Sequence, residues 1–579
     1  MPHATHPPSP GLQALILCGP GLSLNTFTST PSTLPKCLLP VANRPMLWYP
    51  LDWCHRMGIY DITLITPADA APPLEAALRS HPVLTSLSGP RPEVLAPKGL
   101  EMTSGTAELL RLGEVQRAIK GDFVVLSCDF VSEIDGSRVM QQWMSLNPAL
   151  AAASFSRRKG GLAVYYPTHG REGISSKKDE TDFVATVPFS RPNVMPPTGS
   201  LRQGVEEVVM VMPTDTLNDT LDENKQALPI RQTLLAKHGN VKIRTKHRDA
   251  HVYFLPLWVK DFAARNEKFD SISEDVLGWW AKAGWQQGLA EKLGLDEVLA
   301  GKRSTDDEAA NGGSVDEDEE VDATALSSTR SAPAPGRQPP QAFATRVGNS
   351  TVPPPRPKLA VPPLLAYMQP ASPTQPLIRR IDTAPQLASL SLHIARLPPS
   401  DTSPLAHEHK IHPSATIGQQ TRISQEDCLI AENVTIGTRC NIKESVVGAN
   451  CEIGSNVRLT KCVLMDGVVV GDGVQMVGCI VGKRARVEGS SAVGVKAGEA
   501  EVDGAAMKGK GKAKQKASAQ SGGEDDDKTK LTECEIAPFF VVEAGTEAKG
   551  ETMKAFDPEG EVGGDEDEDV DVGDEDNEE

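Results

Sequence analysis

Two groups that could do chemistry stand directly after apolar, β-rich segments of the chain. Gly19 follows residues 12–18, with Gly21 two positions further on, and Asp129 follows residues 122–128. Sheets with parallel strands bind ligands at the carboxyl ends of those strands. The sequence therefore predicts a ligand site built from a glycine-containing loop and a carboxylate. Two simpler interpretations stay open, because a strand-to-helix turn often needs glycine and Asp129 is equally well explained as a helix cap or turn residue.

Strands and helices alternate around these residues. Segments with strand character are 12–18, 61–66, 122–128 and 251–259. Segments with helical character are the one that follows Pro45, then 105–119 and 271–300. The part from Pro188 to Pro213 is predicted to be loops. The alternation is typical of an α/β domain with a mostly parallel, doubly wound sheet.

The C-terminal part carries an apolar residue about every six positions. The series is Ile417, Ile423, Ile430, Ile436, Ile442, Val447, Ile453, Leu459, Leu464, Val470, Met476, Val481, Val487 and Val493. No helix repeats with this period, whereas three six-residue faces close one turn of a parallel β-helix. Glycines that follow inward residues, such as Gly437 and Gly454, are expected at corners with positive φ. Four cysteines (Cys440, Cys451, Cys462 and Cys479) are expected to be small buried residues.

Hexapeptide coils serve both acyltransferases and scaffolds. Acyltransferases of this type use a histidine as general base, and no histidine follows His412 in this chain. His407, His409 and His412 precede the repeats and are expected to face solvent. The coil is therefore predicted to dock onto another subunit. Three tryptophans (Trp279, Trp280 and Trp285) are interpreted as core or interface anchors.

The net charge of −18 is concentrated in two acidic segments, 303–322 and 565–579. The remainder is nearly neutral, which argues against a nucleic-acid-binding surface. The ten cysteines form no CxxC pair and no metal-like spacing, as expected in a reducing compartment. No signal sequence or membrane span is recognised, so the sequence predicts a soluble, cytosolic protein.

Composition also predicts the domain organisation. The predicted segments are a disordered N-terminus (1–10), an α/β domain (11–300), a disordered linker (301–362), a connector (363–410), the hexapeptide β-helix (411–498), a disordered charged insert (499–530), a β-helix edge or cap (531–552) and a disordered acidic tail (553–579). The linker is acidic and then rich in Pro, Ala and Ser, so it cannot form a core.

The string PKCLLPVANRPM (35–46) resembles the sugar-nucleotide pyrophosphorylase, or nucleotidyltransferase, family. The residues that match the motifs of this family are Gly19, Gly21, Lys36, Gly105, Thr106 and Asp129. The resemblance implies that the glycine loop cradles nucleotide phosphates and that Lys36 contacts a phosphate. It also implies that Gly105 and Thr106 lie near the base and that Asp129 binds Mg²⁺.

The departures from this family indicate a degenerate site. The family loop reads roughly G-x-G-[ST]-R-[LM], whereas Ser23 stands here in place of the arginine. Pro20 removes a backbone donor from the loop. The second metal-binding carboxylate has no clear match among the candidates Asp215, Asp219, Asp249 and Asp261. We therefore expect no catalytic residue, no bound metal and no cofactor.

The combination of the two domains resembles the gamma subunits of eukaryotic translation initiation factor 2B, of fungal type. Segments that carry this resemblance are 34–53, 178–188, 249–262, 274–286, 363–370, 376–383 and 541–551. The epsilon subunit carries a further helical-repeat domain, whereas an acidic tail follows the coil here. The resemblance implies a regulatory, non-catalytic subunit that pairs with epsilon and the other subunits and acts on initiation factor 2, without direct contact to nucleic acid or membrane. Two alternatives stay open: an active pyrophosphorylase, for example one that makes GDP-mannose, and a coil scaffold in an unrelated assembly.

Overall fold

The computed structural model describes most of the predicted ordered segments. The described residues are 10–19, 24–100, 103–153, 159–171, 173–174, 179–189, 195–197, 199–300, 360–399, 403–489 and 528–555. The disorder predictions for the N-terminus, the linker, the charged insert and the tail fall largely outside these ranges. Two domains are seen, an α/β domain and a parallel β-helix, and together with the matching family model reported below they confirm the predicted fold class.

The first domain is organised around a nine-stranded sheet. Its strands in chain order are β1 (Gln13–Leu17), β2 (Ile62–Ile65), β3 (Glu93–Leu95), β4 (Phe123–Ser127), β5 (Gly161–Pro167), β6 (Asp182–Pro188), β7 (Val205–Pro213), β8 (Lys242–Leu255) and β9 (Leu364–Met368). Their spatial order is β3-β2-β1-β4-β8-β5-β9-β7-β6. Strands β1 to β4 are parallel. The other half is mixed, because β8 runs antiparallel to both β4 and β5.

Helices cover the two faces of the sheet, and each face has its own buried core. The α-helices are Asn25–Thr28, Trp48–Arg56, Ala71–Ser80, Pro82–Thr85, Thr106–Arg111, Gly113–Ala118, Gly136–Ala153, Thr214–Glu223, Gln232–Lys237, Trp258–Arg265, Leu277–Ala283, Leu289–Lys292, Leu295–Leu299 and Ala384–Arg396. Three short 3₁₀ turns (Lys36–Leu38, Ala68–Ala70 and Leu201–Gly204) and one π turn (Ile272–Val276) complete the set. Trp280 and Trp285 are buried, as expected of core anchors. Among the described helices, none is long and apolar enough to cross a membrane.

The segment predicted as a connector, 363–410, contributes to the first domain. Strand β9 lies inside the sheet, between β5 and β7. A second short strand, Ile378–Arg380, pairs antiparallel with Phe130–Ser132. The helix Ala384–Arg396 then packs on the same domain and reaches the β-helix. The first domain therefore does not end at residue 300, and its sheet is completed by strands that follow the linker.

The second domain is a three-sided parallel β-helix with six strands on each side. The first side contains Thr416–Ile417, Thr435–Ile436, Glu452–Ile453, Val469–Val470, Arg486–Val487 and Val541–Val542. The second contains Arg422–Ile423, Asn441–Lys443, Arg458–Thr460, Gln475–Val477, Lys530–Thr532 and Glu547–Lys549. The third contains Leu429–Ile430, Val446–Val447, Val463–Leu464, Ile480–Val481, Glu535–Ile536 and Thr552–Met553. The segment predicted as an edge, 531–552, thus continues the coil.

The six-residue period predicts the inward side chains well. Every predicted inward residue from Ile430 to Val487 is buried in one continuous core, whereas Ile417 in the first turn is 42% exposed. The four cysteines of the predicted series are buried in the same core.

The prediction about the corner glycines is wrong. The described glycines that follow inward residues do not have positive φ, which instead occurs nearby at residues such as Asn450 and Asn456. A Cβ on Gly437 would lie 2.7 Å from the backbone of Gly454 in the next turn. Glycine is required there because the stacked turns approach closely.

The charged insert interrupts the coil at one corner. Val487 occupies an inward position on the first side, and the next inward position, on the second side, is taken by Leu531, which pairs with Met476. The hydroxyl of Thr529 donates a hydrogen bond to the carbonyl of Glu488 at 2.7 Å. The two ends of the insert therefore meet across the corner. Val493, predicted to be inward, lies outside the described residues.

The two domains share a core. Val446, Val463 and Ile480 from the third side of the coil are buried in the same cluster as the first domain. The hairpin turn at Ala42 and Asn43, where both φ values are positive, points into this interface. The PKCLLPVANRPM string thus takes part in docking the domains as well as in the site described next.

Candidate functional site

The predicted phosphate loop is described only in part. Gly19 follows β1 at the carboxyl edge of the sheet, and a Cβ at this position would meet nothing within 4 Å. Gly21, together with Pro20 and Ser23, lies outside the described residues. The phosphate role of this loop, and the loss of its arginine, therefore stay predictions from the sequence.

Lys36 and Asp129 meet at the carboxyl end of β4. Asp129 lies two residues after this buried strand and is fully buried, and Lys36 opens a short 3₁₀ turn. Lys36 Nζ lies 2.8 Å from Asp129 Oδ2. The sequence analysis selected both residues, and the structure brings them into direct contact as an ion pair.

The other two predicted site residues, Gly105 and Thr106, anchor a helix. Gly105 is the N-cap of Thr106–Arg111. A Cβ on Gly105 would lie 1.9 Å from Asp270 Oδ1, so only glycine fits against this residue. The Thr106 hydroxyl accepts a hydrogen bond from the Ile272 amide at 2.9 Å. The contacts of both residues thus tie the helix to the turn at 270–272 instead of joining the Lys36–Asp129 pair.

Sequence reasoning missed the residue that completes the environment of Asp129. Arg380 ends the short strand that pairs with Phe130–Ser132, and the amide of Ile381 donates to the carbonyl of Asp129 at 3.1 Å. This pairing places Arg380 Nε 3.4 Å from Asp129 Oδ1. Each carboxylate oxygen of Asp129 is therefore matched by a cation of the chain itself.

The sequence analysis also missed a second acid beside Arg380, the partly buried Asp382. Asp382 Oδ2 lies 3.8 Å from Arg380 Nη2 and 2.6 Å from Arg248 Nη2. Arg248, on β8, is 7% exposed and also contacts the exposed Glu180 at 2.5 Å. Asp129 and Asp382 thus lie on two sides of one guanidinium. The only local signal for this cluster was the RRID string at 379–382, which carries no recognisable chemical pattern by itself.

A pair of carboxyl groups lies beside the arginines. Asp182 Oδ2 accepts a hydrogen bond from the Asp249 amide at 2.6 Å. Asp249 accepts from the His251 amide at 2.9 Å and from the Tyr253 hydroxyl at 2.6 Å. His251 has φ of 50°, an uncommon conformation for a non-glycine residue that occurs more often at functional sites. Of the four candidate aspartates from the sequence, Asp249 is the one that lines the cleft described next.

These groups line a cleft of about 250 Å³. The residues that line it are Glu180, Asp182, Val211, Pro213, Arg248, Asp249, His251, Ser273, Arg380 and Asp382. Four carboxyl groups and two guanidinium groups face one another here. The cleft therefore has no strong excess of positive charge with which to attract a polyanion.

The electrostatics follow from burial and pairing. Burial alone would raise the pKa of Asp129, but Lys36 and Arg380 outweigh burial and hold this pKa far below its usual range. Burial, reinforced by the charge of Arg380, holds the pKa of His251 well below its ordinary value. The neutral ring accepts a hydrogen bond from Arg380 Nη1 at 3.2 Å. Burial, with Asp182 as the second cause, raises the pKa of Asp249 to about 7.

The resemblance to pyrophosphorylases implies a divalent cation on Asp129, and the donor set does not fit one. Mg²⁺ needs free carboxylate oxygens at close range. Both Asp129 oxygens face cationic side chains instead, and Asp382 faces Arg380 and Arg248. Among the residues that the structure describes, no group of three His, Cys, Asp or Glu side chains is arranged to hold a metal ion.

The structure defines a class of two-domain proteins in which an α/β domain is followed by a hexapeptide-repeat β-helix. Residues 407–498 match the family model described as "EIF2B subunit epsilon LbH domain". About half of the chain is similar to proteins named "Translation initiation factor eIF2B subunit gamma". The fission yeast protein is 28% identical over 295 residues, which cover 51% of this chain and 56% of the relative.

More distant gamma subunits also match. The protein from Caenorhabditis elegans is 23% identical over 267 residues, which cover 46% of this chain and 57% of the relative. The protein from Dictyostelium discoideum is 22% identical over 262 residues, which cover 41% of this chain and 48% of the relative. The chain thus spans about half of the length of the curated relatives that it matches. Curated eIF2B gamma subunits are homologues of this chain.

Proposed function

We propose that this protein is a gamma-type subunit of an eIF2B complex and has a structural and regulatory role, without catalysis at its nucleotidyltransferase-like cleft. The observation that carries the proposal is the similarity to gamma subunits in three distant organisms. The proposed action of the assembly is to promote exchange of GDP for GTP on initiation factor 2.

The cleft supports the non-catalytic part of the proposal. Nucleotidyl transfer to a sugar phosphate needs cations that are free to balance the charge of the reacting phosphates. Lys36 and Arg380 are instead committed to Asp129, and Arg248 to Asp382. A reaction at this site would first have to break these buried ion pairs, which is costly when one partner stays buried and unpaired.

The β-helix supports a partner with the same architecture. Its sequence matches an epsilon-type domain model, although the relatives that match about half of the chain are gamma subunits. Two subunits with related coils offer similar flat faces and exposed ends to each other. We therefore propose that an epsilon-type subunit is the immediate partner, with the other eIF2B subunits around the pair.

Affinity isolation of the full-length chain from its own cells, with mass identification of the bound proteins, tests this assignment. We expect a larger protein with the same two domains plus a helical-repeat domain, together with other eIF2B subunits. The isolated complex should accelerate release of labelled GDP from initiation factor 2. Recovery of the chain alone, or in an assembly without such a partner, would overturn the proposal.

A second assay addresses the alternative activity. The purified chain is mixed with GTP, Mg²⁺ and mannose 1-phosphate, and pyrophosphate release is followed. We expect no release above that of the Asp129→Asn variant, which serves as the matched control. Turnover that depends on Asp129 would establish a pyrophosphorylase and contradict the non-catalytic role.

A further inference from the structure

We propose that Arg380 is a built-in substitute for a divalent cation: its guanidinium occupies the position between Asp129 and Asp382 that a metal ion would otherwise take. This inference concerns the cleft alone and does not depend on the partners proposed above. It predicts that a single substitution at Arg380 creates a metal site between these two carboxylates.

The guanidinium of Arg380 lies between the two carboxylates. Arg380 uses two different nitrogens, with Nε 3.4 Å from Asp129 Oδ1 and Nη2 3.8 Å from Asp382 Oδ2. The two carboxylates therefore converge on one planar cation. Carboxylate oxygens from two separate segments are also the ligand set that Mg²⁺ or Mn²⁺ prefers. A guanidinium likewise brings a positive charge to both carboxylates, through a hydrogen bond to Asp129 and a longer ion pair to Asp382.

The position of Arg380 is determined by backbone contacts. Its strand pairs with Phe130–Ser132, with Arg380 opposite Phe130, and the Ile381 amide bonds to the carbonyl of Asp129. The side chain is only 12% exposed, and Nη1 also contacts His251 Nε2 at 3.2 Å. The guanidinium is therefore a fixed part of the cleft instead of a mobile surface group.

Loss of the guanidinium leaves each carboxylate with one cation. Asp129 keeps Lys36 at 2.8 Å, and Asp382 keeps Arg248 at 2.6 Å. Neither acid is left buried and unpaired, which is the situation that destabilises folded proteins most. The Arg380→Ala variant should therefore fold, with Asp129 Oδ1 free of its cation. Arg248 still donates to both Asp382 oxygens, at 3.3 and 2.6 Å, so a new cation would use the remaining lone pairs of that carboxylate.

Titration of the full-length chain with Mn²⁺, followed by electron paramagnetic resonance, tests the proposal. We expect the acidic segments to bind Mn²⁺ weakly in every variant, which gives a common background. We expect Arg380→Ala to gain one site that binds roughly tenfold or more tightly than this background. The double variant Arg380→Ala/Asp129→Asn should lose the site, and Arg380→Lys should not gain it because its ammonium keeps a cation in place.

Two results overturn the proposal. One is a tight Mn²⁺ site in the native chain that Asp129→Asn removes. The other is a folded Arg380→Ala protein, with native tryptophan fluorescence, that gains no site. If Arg380→Ala does not fold, the native chain and its Asp129→Asn variant decide the matter. Superimposable Mn²⁺ titration curves of these two proteins then support the proposal, and loss of a binding site in Asp129→Asn contradicts it.

Discussion

At the scale of single residues, the cleft is a network of mutually neutralising charges. Lys36 and Arg380 face Asp129, while Arg248 faces Asp382. Among the described residues, the donors that hydrogen-bond the carboxyl group of Asp249, which lies outside these pairs, are uncharged. The titration behaviour of the cleft should therefore differ between the paired acids and Asp249.

Asp249 should make stability fall as pH rises. Its raised folded pKa of about 7 means that the folded protein keeps a proton that the unfolded chain releases near pH 4. The stabilisation from this proton is fully present below about pH 4 and is lost as pH rises through about 7. Relative to Asp249→Asn, the native protein should lose stability between pH 5 and pH 8, as measured by urea unfolding.

Asp69→Asn, at an exposed helical position, is the matched control for this measurement. The difference in stability between this control and the native protein should not change over the same pH range. A pH-independent difference between native and Asp249→Asn proteins would show that Asp249 does not hold a proton in the folded state.

Removal of the Lys36 charge should lower the stability of the protein without preventing folding. In Lys36→Met, the buried Asp129 keeps Arg380 at 3.4 Å as its neighbouring cation, so we expect the free energy of unfolding to fall by about 3 kcal/mol. The surface pair Arg79–Glu75 provides the comparison, and Arg79→Met should cost under about 0.5 kcal/mol. Urea unfolding measures both. Equal effects of the two substitutions would contradict the burial argument.

At the scale of elements, the coil was the most predictable part of the chain. Its period is local, so each six-residue unit shows which side chain points inward. The strand Val205–Pro213 was missed, because flanking prolines made its surroundings read as loops. Strand β9 and Arg380 were missed for a different reason. Arg380 is 251 positions from Asp129, and no local pattern encodes a contact across that distance.

The shared core between the two domains should couple their stabilities. All seven tryptophans lie in the first domain, so their fluorescence reports its unfolding alone. Val463, in the coil, is buried against that domain, whereas Val477 is 45% exposed. Val463→Ala should lower the tryptophan-detected stability by about 1–3 kcal/mol, and Val477→Ala by under about 0.5 kcal/mol. An unchanged tryptophan transition in Val463→Ala would show that the domains unfold independently.

The corner glycines should tolerate no side chain where turns stack. In Gly437→Ala the new Cβ would clash with the backbone of Gly454, and we expect a loss of about 3 kcal/mol, measured by thermal unfolding with circular dichroism. Gly473 has φ of +76° and open space around it, so Gly473→Asn should cost under about 1 kcal/mol. A smaller stability loss in Gly437→Ala than in Gly473→Asn would contradict this prediction. It would show that the close approach of the turns matters less than the backbone conformation.

At the scale of the whole molecule, two long-range connections make the domains one structure. The chain leaves the first domain at residue 300, returns with β9, and then proceeds through the helix Ala384–Arg396 into the coil. Asn43 donates from its Nδ2 to the carbonyl of Val447 at 2.9 Å, and Arg44 reaches the carbonyls of Leu405 and Ala406 at 3.0 and 2.9 Å. A motif that predicted nucleotide chemistry from the sequence thus also fixes the orientation of the coil.

Because Glu488 and Thr529 meet at one corner, we expect the coil to fold without the segment between them. Excision of residues 490–527 would join Gly489 to Lys528 and leave Leu531 six positions after Val487, the spacing found between the same two sides in the neighbouring turns, for example from Val470 to Met476. The shortened chain should therefore melt within a few degrees of the native protein. The same corner should accept an unrelated sequence, such as an epitope or a small fluorescent domain, without disturbing either domain. The corner between Gly489 and Lys528 is therefore a place at which the coil should accept an inserted sequence.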